Sequence, residues 1–453
     1  MIDAFVDHGL SARIEDLPDV VVRAAKTFLL DTIGVGIAGA NVALTEAVRK
    51  SARAWAGDGR AHVWGANAFK TTAANAAFVN GFQIHCQEYD CVHEPAVVHP
   101  LATILAALMA DCEDRGDVDG ASLLVALAVA VDLAAGIGVS VSSPIKFFRP
   151  ANAGIFGATL GIARLRDFSA TQTKDALGYA LAFNAGTMQA HVEGKPALPI
   201  QIGNAARGAI MACDLAASGV PGPHDSLEGP FGYFALFEDS ADPSHVVSQL
   251  GKTWRIAEVS HKPFPTGRAA QGGIVLMQKL RELGVNEENV DRIILTAPPL
   301  IHRLVGRPIK SDMAVNYARL CFQYAGAVAL RTGKVGLADF DQLGLRDANT
   351  LSLGARIDVV DDGSPDPAAF VPQTAVAHLI DGRRIEARID SLYGAPSDPM
   401  SGAAHFEKFH TCVAYGFGAE QPEIARRLID LTEKMEEVPD VGVLSRLAAG
   451  LEA

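Results

Sequence analysis

Residues 101–138, LATILAALMADCEDRGDVDGASLLVALAVAVDLAAGIG, decide the fold because two of their segments are apolar nearly all round. A helix that is apolar on every side lies inside a protein or a membrane. Asp132 interrupts the second segment, which falls short of the ~20 apolar residues that a membrane span requires. The stretch therefore predicts two core helices of a bundle rather than a transmembrane segment.

Helical patterns continue on both sides of this stretch. Residues 17–34, LPDVVVRAAKTFLLDTIG, place apolar side chains at helical spacing after Pro18, a residue that suits a first helical turn. Residues 176–188 and 202–220 are rich in alanine and repeat the pattern. GVGIAG at 34–39 has the spacing of a dinucleotide-binding loop, but a helix precedes it where a strand is required. We predict close helix packing there instead.

The pattern changes after about residue 255. Residues 290–298 and 356–362 are typical of strands, and 374–390 predicts a β-hairpin because Asp381-Gly382 suits its turn. Residues 423–438 return to a helical pattern. We therefore predict a mainly α fold: an all-helical domain, formed by residues 1–257 and 399–453, with a smaller α+β lid domain inserted at 258–398.

The composition argues against several classes of function. The 453-residue chain has a formal net charge of -13 and no cluster of Lys and Arg, so neither nucleic acid nor a membrane is an expected partner. The six cysteines lack the density of a disulfide scaffold. The first 20 residues carry acids where a secretion signal needs a basic region. We therefore expect a cytoplasmic protein.

Residues 84–100, IHCQEYDCVHEPAVVHP, concentrate titratable side chains within an apolar chain. They include His85, Glu88, Asp90, His93, Glu94 and His99. Three interpretations are open: a metal site, a solvated loop or a catalytic loop. No zinc-finger cysteine spacing and no H-E-x-x-H motif accompany the stretch. We favour acid–base chemistry without a metal, because burial at the end of an apolar wall tunes such groups.

Residues 260–273, SHKPFPTGRAAQGG, form a second dense segment. Lys262 follows His261, and Arg268 stands where a helix is expected to begin, a position that suits binding of a carboxylate. The alternatives are an ordinary Pro-rich turn with a surface lysine, or a Schiff-base lysine. Tyr324, in CFQYAGAVAL, is either a core residue or a hydrogen-bond donor to a cleft.

Several further side chains would suit an acidic substrate. Arg149 precedes a Gly-rich turn in FFRPANAGIFGA, and EGKPALPIQIGNAARG offers Lys195 and Gln201. Each alone is weak evidence, because a surface ion pair is the commoner role of an arginine. Together with Arg268, they are candidates for binding carboxylates, and His93 and His261, which lie within the two dense segments, are further candidates for binding substrate.

These stretches, in this order, resemble the MmgE/PrpD family, which includes 2-methylcitrate dehydratase, cis-aconitate decarboxylase and iminodisuccinate epimerase. The matching segments are AAKTFLLDTIGVGIAGA, AANAAFVNGFQIHCQEYDCVHEPAVVHP, HKPFPTGRAAQGGI and CFQYAGAVALRTG. The resemblance implies a helical domain with an inserted lid domain, a homodimer and no cofactor. It also implies catalytic roles for His99, Lys262 and Tyr324. Asp90 matches the second acid of the family's acidic run, and Glu88 replaces the first.

Some positions depart from the family pattern. Val92 stands where a Thr is common, Arg149 stands where a His precedes Pro, Gly267 and Gln271 differ after the Lys segment, and a Lys-Pro-Leu-His-like segment has become ALPIQIGN. The acid–base set is therefore thinner than in the dehydratases.

We expect an enzyme that removes a proton next to a carboxylate of a small di- or tricarboxylic acid. An epimerase is favoured, because epimerisation needs no acid for a leaving group. A lyase, either dehydratase or decarboxylase, is the first alternative, and a non-catalytic carboxylate-binding protein is the second. His99 and Lys262 would act as acid–base groups, with Glu88 and Asp90 tuning them and Tyr324 donating a hydrogen bond.

Overall fold

The computed structural model of the protein describes residues 1–55, 57–366 and 368–451. Helices dominate these residues, so the prediction of a mainly α fold is confirmed. Before residue 249 the α-helices are α1 (Ile2–Ser11), α2 (Asp19–Gly39), α3 (Thr45–Ala54), α4 (Ala73–His85), α5 (Pro100–Arg115), α6 (Gly120–Val139), α7 (Arg149–Leu165), α8 (Ala170–Ala182), α9 (Gln189–Glu193), α10 (Ala197–Ala217), α11 (Tyr233–Phe237) and α12 (Ser244–Ser248). Later in the chain they are α13 (Arg268–Glu282), α14 (Pro299–Val305), α15 (Val315–Ala318), α16 (Phe322–Thr332), α17 (Ala348–Gly354), α18 (Gly402–Phe417), α19 (Pro422–Glu433) and α20 (Gly442–Ala448). The strands are β1 (Ala61–His62), β2 (Lys70–Thr71), β3 (Val290–Ala297), β4 (Ile357–Asp361), β5 (Gln373–Leu379) and β6 (Arg384–Ile389).

Helices α5 and α6 are buried over nearly their whole length, as residues 101–138 predicted. By length and composition α6 would pass for a membrane span, but 89% of its most apolar 18-residue window is buried inside the protein. The GVGIAG motif forms the last residues of α2 rather than a turn between a strand and a helix. A Cβ at Gly39 would lie 2.0 Å from the Gln83 carbonyl oxygen of α4, so close helix packing is confirmed there.

The chain has two large hydrophobic cores. The first draws its buried residues from 2–259 and 409–448, and the second from 264–395. The second core contains a four-stranded sheet of order β4-β3-β5-β6, in which β3 pairs in parallel with β4 and antiparallel with β5. The hairpin predicted at Asp381-Gly382 is β5–β6. The two cores meet near residue 260, while an inserted domain with the bounds 258–398 stays a prediction.

Helices α4 and α10 pack closely enough to position the C-terminal end of α4, where His85 lies. A Cβ at Gly203 of α10 would lie 2.3 Å from the Phe78 carbonyl oxygen of α4. We expect Gly203→Ala to force the helices apart and to lower the free energy of unfolding by about 1–3 kcal/mol, measured by urea denaturation. Gly402→Ala, in α18 with nothing within 4 Å, is the control for helix propensity. Equal stability of the two variants would contradict the expectation.

Candidate active site

Two irregular segments form the candidate site. The first runs from the end of α4 at His85 to His99, the N-cap of α5. The second, residues 260–267, leads into α13. The segments are tied together by two backbone hydrogen bonds, from Val92 N to Ser260 O at 3.0 Å and from Ser260 N to Val92 O at 2.8 Å. Because the first segment is part of the first core and the second segment leads into the second core, the site lies where the two cores meet.

Asp90 is the centre of the first segment, and its side chain is fully buried. His85 Nδ1 donates to Asp90 Oδ2 at 2.9 Å. His99 Nδ1 lies 3.1 Å from the same oxygen, without the alignment of a hydrogen bond. The two imidazole rings pack edge to face, with centroids 4.9 Å apart. One carboxylate therefore orients two histidines.

The two histidines have opposite pKa shifts. Burial alone would lower the pKa of His85, but the carboxylates of Asp90 and Glu88 outweigh it and raise the pKa above its ordinary value. Burial and the Lys262 charge lower the pKa of His99. When their environments push the pKa values of two neighbouring groups apart, one group suits the role of acid and the other the role of base. His85 Nε2 is buried without a hydrogen bond and lies 3.7 Å from Glu88 Oε1, so the pair could act with His85 as the proton donor and His99 as the acceptor.

Lys262 completes the charged cluster. Its Nζ donates to Glu88 Oε2 at 3.0 Å and lies 3.8 Å from Asp90 Oδ1. Burial would raise the pKa of Glu88, but Lys262, His85 and His99 together lower it to about 2. The pKa of Asp90 also falls well below its ordinary value, since the same three groups outweigh its burial. Both carboxylates are therefore charged at neutral pH.

Arg268 lies at the start of α13 and is part of the cavity lining. Its Nε donates to Glu94 Oε1 at 2.6 Å, and its Nη1 donates to Gln271 Oε1 and to the Tyr393 carbonyl. Nη2 is buried without a hydrogen bond. A guanidinium that is held by several hydrogen bonds and keeps one donor free has the chemistry to bind a carboxylate.

A cavity of about 100 Å³ connects these groups. It is smaller than the ~300–1,000 Å³ of sites for drug-sized ligands and suits a small substrate. Its lining includes His85, Glu88, His99, Phe148, His191 and Arg268. Charged and titratable groups thus face an otherwise apolar pocket, where electrostatic interactions are strengthened.

Sequence reasoning missed three of the residues at this site. His85 was noted in the dense segment but was assigned no catalytic role, and His191 and Arg307 were not singled out. Arg307 Nη2 lies 3.1 Å from His191 Nε2, and Arg307 Nη1 is buried without a partner. Burial and the Arg307 charge lower the pKa of His191 to about 4. His191 is therefore neutral, and its Nε2 accepts from Arg307, which leaves Nδ1–H as a donor. The two residues are far apart in sequence, so no local pattern links them.

The structure brings together Glu88, Asp90, His99, Lys262 and Arg268 from the predicted set. Glu88, His99 and Arg268 line the cavity, whereas Asp90 and Lys262 are fully buried and contact lining residues, Asp90 through His85 and Lys262 through Glu88. The other predicted residues do not line the cavity. Arg149 donates from Nε and Nη2 to Glu238, at 3.1 Å each, and Tyr324 donates its hydroxyl to the Asp339 carbonyl inside the second core. Lys195 is exposed, and Gln201 Nε2 donates to the Thr187 carbonyl. Their predicted roles at a substrate gain no geometric support.

His93 and His261 are both buried beside the cavity rather than in its lining. His93 Nε2 lies 3.0 Å from Glu258, and its Nδ1 accepts from the Ala96 amide. His261 packs its ring against Phe28 and His405. These contacts fit structural roles, and direct contact with substrate stays a prediction for both.

His85, Asp90 and His99 also have the donor types and the spacing of a metal site, with one ligand atom from each within 4.8 Å of the others. Two features favour protons over a metal cation there. The His85 pKa is raised, so the ring tends to carry a proton, and the Lys262 ammonium lies 3.8 Å from Asp90. Acid–base chemistry therefore remains the better interpretation.

Comparisons with known proteins cover almost the whole chain. The MmgE/PrpD N-terminal domain family matches residues 4–246, and the MmgE/PrpD C-terminal domain family matches residues 264–434. Cis-aconitate decarboxylase of Mus musculus is 26% identical over 461 aligned residues, covering 98% of this chain and 92% of that protein. The Homo sapiens enzyme is 25% identical, covering 98% and 93%. Cis-aconitate decarboxylase-like protein oryM of Aspergillus oryzae is 26% identical, covering 96% and 94%.

Proposed function

Because the chain belongs to the MmgE/PrpD family, we propose that it is a lyase that decarboxylates cis-aconitate or a closely related unsaturated tricarboxylate without a cofactor. Similarity to cis-aconitate decarboxylases over nearly the full length supports the choice of reaction. The observation that carries the proposal is the pairing of a proton donor, His85, with carboxylate-binding groups around one small cavity.

The epimerase expected from the sequence finds no support in these comparisons, and the lyase alternative is favoured. That expectation depended on the small number of acid–base residues that the sequence offered. The cavity is lined by three histidines, His85, His99 and His191, because residues distant in sequence converge on it. The set is therefore large enough for a lyase, and so many tuned groups also argue against a protein that only binds carboxylates.

The proposed reaction breaks the bond between a methylene carbon and its carboxylate. The released electron pair forms a new carbon–carbon double bond, and the electrons of the former double bond move to the carbon next to a second carboxylate. CO₂ departs, and His85 Nε2 delivers a proton to that carbon. The net change consumes one proton and yields an unsaturated dicarboxylate with a terminal methylene group.

Each group around the cavity has a place in this scheme. Lys262 stabilises the negative charge that spreads over the second carboxylate as CO₂ leaves. Arg268 Nη2 and the His191–Arg307 pair hold two carboxylates, so that the third points into the apolar part of the cavity. A carboxylate in apolar surroundings is poorly solvated, and its loss as neutral CO₂ relieves that penalty. Closure of the second core over the first would exclude water.

Proton NMR in D₂O tests the proposal. The protein is mixed with cis-aconitate, and in parallel with citrate, 2-methylcitrate and iminodisuccinate. We expect cis-aconitate to give a product with signals of a terminal methylene group and to release CO₂. The product should carry one deuterium on the saturated carbon next to its second carboxylate. A His85→Gln preparation purified in parallel controls for contaminating enzymes. Hydration without CO₂ would identify a dehydratase, deuterium exchange with an unchanged skeleton would identify an epimerase, and no change in any compound would overturn the proposal.

Arg268→Gln is expected to raise KM for cis-aconitate by ~10–100-fold, because a hydrogen bond between charged partners is lost. Steady-state kinetics measure this. The double variant Arg268→Gln/Glu94→Gln keeps the local charge balanced and should show the same rise. Arg149→Gln is the matched control: its partner is Glu238, so stability should fall while KM stays unchanged. A rise in KM for Arg149→Gln alone would restore the role predicted from the sequence.

A further inference from the structure

A second cluster of ligand-type side chains lies outside the cavity and has no part in the chemistry above. Asp31 of α2, His261 of the second segment and His405 of α18 each offer one ligand atom within 4.8 Å of the other two. All three residues are at most 8% exposed. They come from parts of the chain more than 100 residues apart, so the fold alone assembles them.

Each residue of this junction cluster leaves one buried polar atom without a partner. The three atoms are Asp31 Oδ2, His261 Nε2 and His405 Nδ1. Leaving a buried polar atom unpaired costs about 1–3 kcal/mol. Because the three residues bring their ligand atoms within 4.8 Å of one another, one shared partner that accepts electron pairs would satisfy them most simply.

We propose that the junction cluster binds a divalent transition-metal ion of the zinc type. Two imidazoles and one carboxylate are a common donor set for this ion, with bonds of ~2.0–2.2 Å. Small side-chain rotations would bring the three atoms to bonding distance.

Lys408 is the charged group that opposes a cation here. Its Nζ lies 2.8 Å from Asp31 Oδ1 and also donates to the Tyr89 carbonyl. The ammonium is therefore held on the far oxygen of the carboxylate, and Oδ2 remains for an ion. A surface groove of about 310 Å³ reaches the cluster at His405, and its lining carries the charges of Arg23, Lys26 and Glu433.

A bound ion would link the first core to the active-site segment. Asp31 and His405 belong to helices that pack together, α2 and α18, and His261 immediately precedes Lys262. Ligation of His261 would thus fix the backbone that carries Lys262. The role is structural, because the ion would not face the cavity, and it does not depend on which reaction the enzyme catalyses.

Metal analysis tests the proposal. Wild-type protein is dialysed against ZnCl₂, then against metal-free buffer, and assayed by plasma mass spectrometry; we expect about one zinc per chain. His405→Gln should lose it, together with the rise in Tm that zinc gives the wild type. His410→Gln, an exposed histidine on the same helix, and His99→Gln, from the other cluster, should both keep it.

A wild type that retains no zinc would overturn the proposal and leave a buried water as the shared partner. Retention in His405→Gln with loss in His99→Gln would also overturn it and place the ion at the active site. If His405→Gln does not fold, Co²⁺ replaces zinc in the wild type and in His410→Gln. Visible absorption typical of a nitrogen- and oxygen-ligated ion is then expected in both, and its absence would count against the site.

Discussion

Asp90→Asn is expected to lower kcat by ~10³–10⁴-fold, as is typical when the acid that orients a catalytic histidine is neutralised. The amide oxygen can still accept from His85 Nδ1, but it carries no negative charge to stabilise the imidazolium as the carboxylate does. Burial would then lower the pKa of His85, which Asp90 holds above its ordinary value in the wild type. The proton donor would be mostly unprotonated at neutral pH.

The pH profile separates this explanation from a loss of folding. Activity that needs protonated His85 is present below its folded-state pKa and lost as the pH rises through it. We expect the alkaline limb of the pH profile of kcat to move to lower pH in Asp90→Asn, so that the variant recovers part of its activity at acidic pH. An unmoved limb would show that His85 is not the donor.

Asp132→Asn is the matched control for Asp90→Asn. Asp132 is equally buried and lies 3.0 Å from His8 Nε2, and it accepts from the Arg255 amide at 2.7 Å. It does not line the cavity. The control variant should lose stability while kcat per folded molecule stays near the wild-type value. Similar losses of kcat in the two variants would mean that general destabilisation explains both.

The parts of the fold that follow from local physics were predictable. A run of apolar residues on all sides has to be buried, which placed α5 and α6 inside the first core. Asp381-Gly382 predicted the β5–β6 turn because Gly382 adopts φ +86°, a conformation that glycine tolerates. The parallel pairing of β3 with β4 was not predictable, since about 60 residues separate strands that no local signal relates.

The site was predictable only where its residues lie close together in the sequence. Glu88, Asp90 and His99 lie on one short segment, and Lys262 and Arg268 on another, so dense local chemistry revealed both. Partners distant in sequence were not readable. Arg149 looked available for a substrate, but Glu238 on another segment binds it, and Tyr324 is held by a backbone carbonyl in the second core. His191 is a candidate because of its contact with Arg307, which is distant in the sequence.

Lys262→Met is expected to destabilise the protein by about 3 kcal/mol, near the lower end for a broken buried ion pair because Glu88 is 14% exposed. The variant should also be inactive, since the proposed mechanism relies on the Lys262 ammonium to stabilise the developing charge. Urea denaturation and the NMR assay measure the two effects. Adding Glu88→Leu to Lys262→Met removes the carboxylate that the first substitution leaves unpaired. The double variant should therefore recover most of the stability but none of the activity.

The pH dependence of stability gives this expectation a definite sign. In the wild type the pKa of Glu88 is about 2, below its unfolded value, so the ion pair adds stability above the unfolded pKa. That contribution is lost as the pH falls toward 2. Without Lys262, burial raises the Glu88 pKa, and protonation relieves the unpaired charge on acidification. The stability gap between wild type and Lys262→Met should therefore narrow between pH ~7 and ~4, and a gap that widens would show that Lys262 is not the group that holds Glu88 in its charged form.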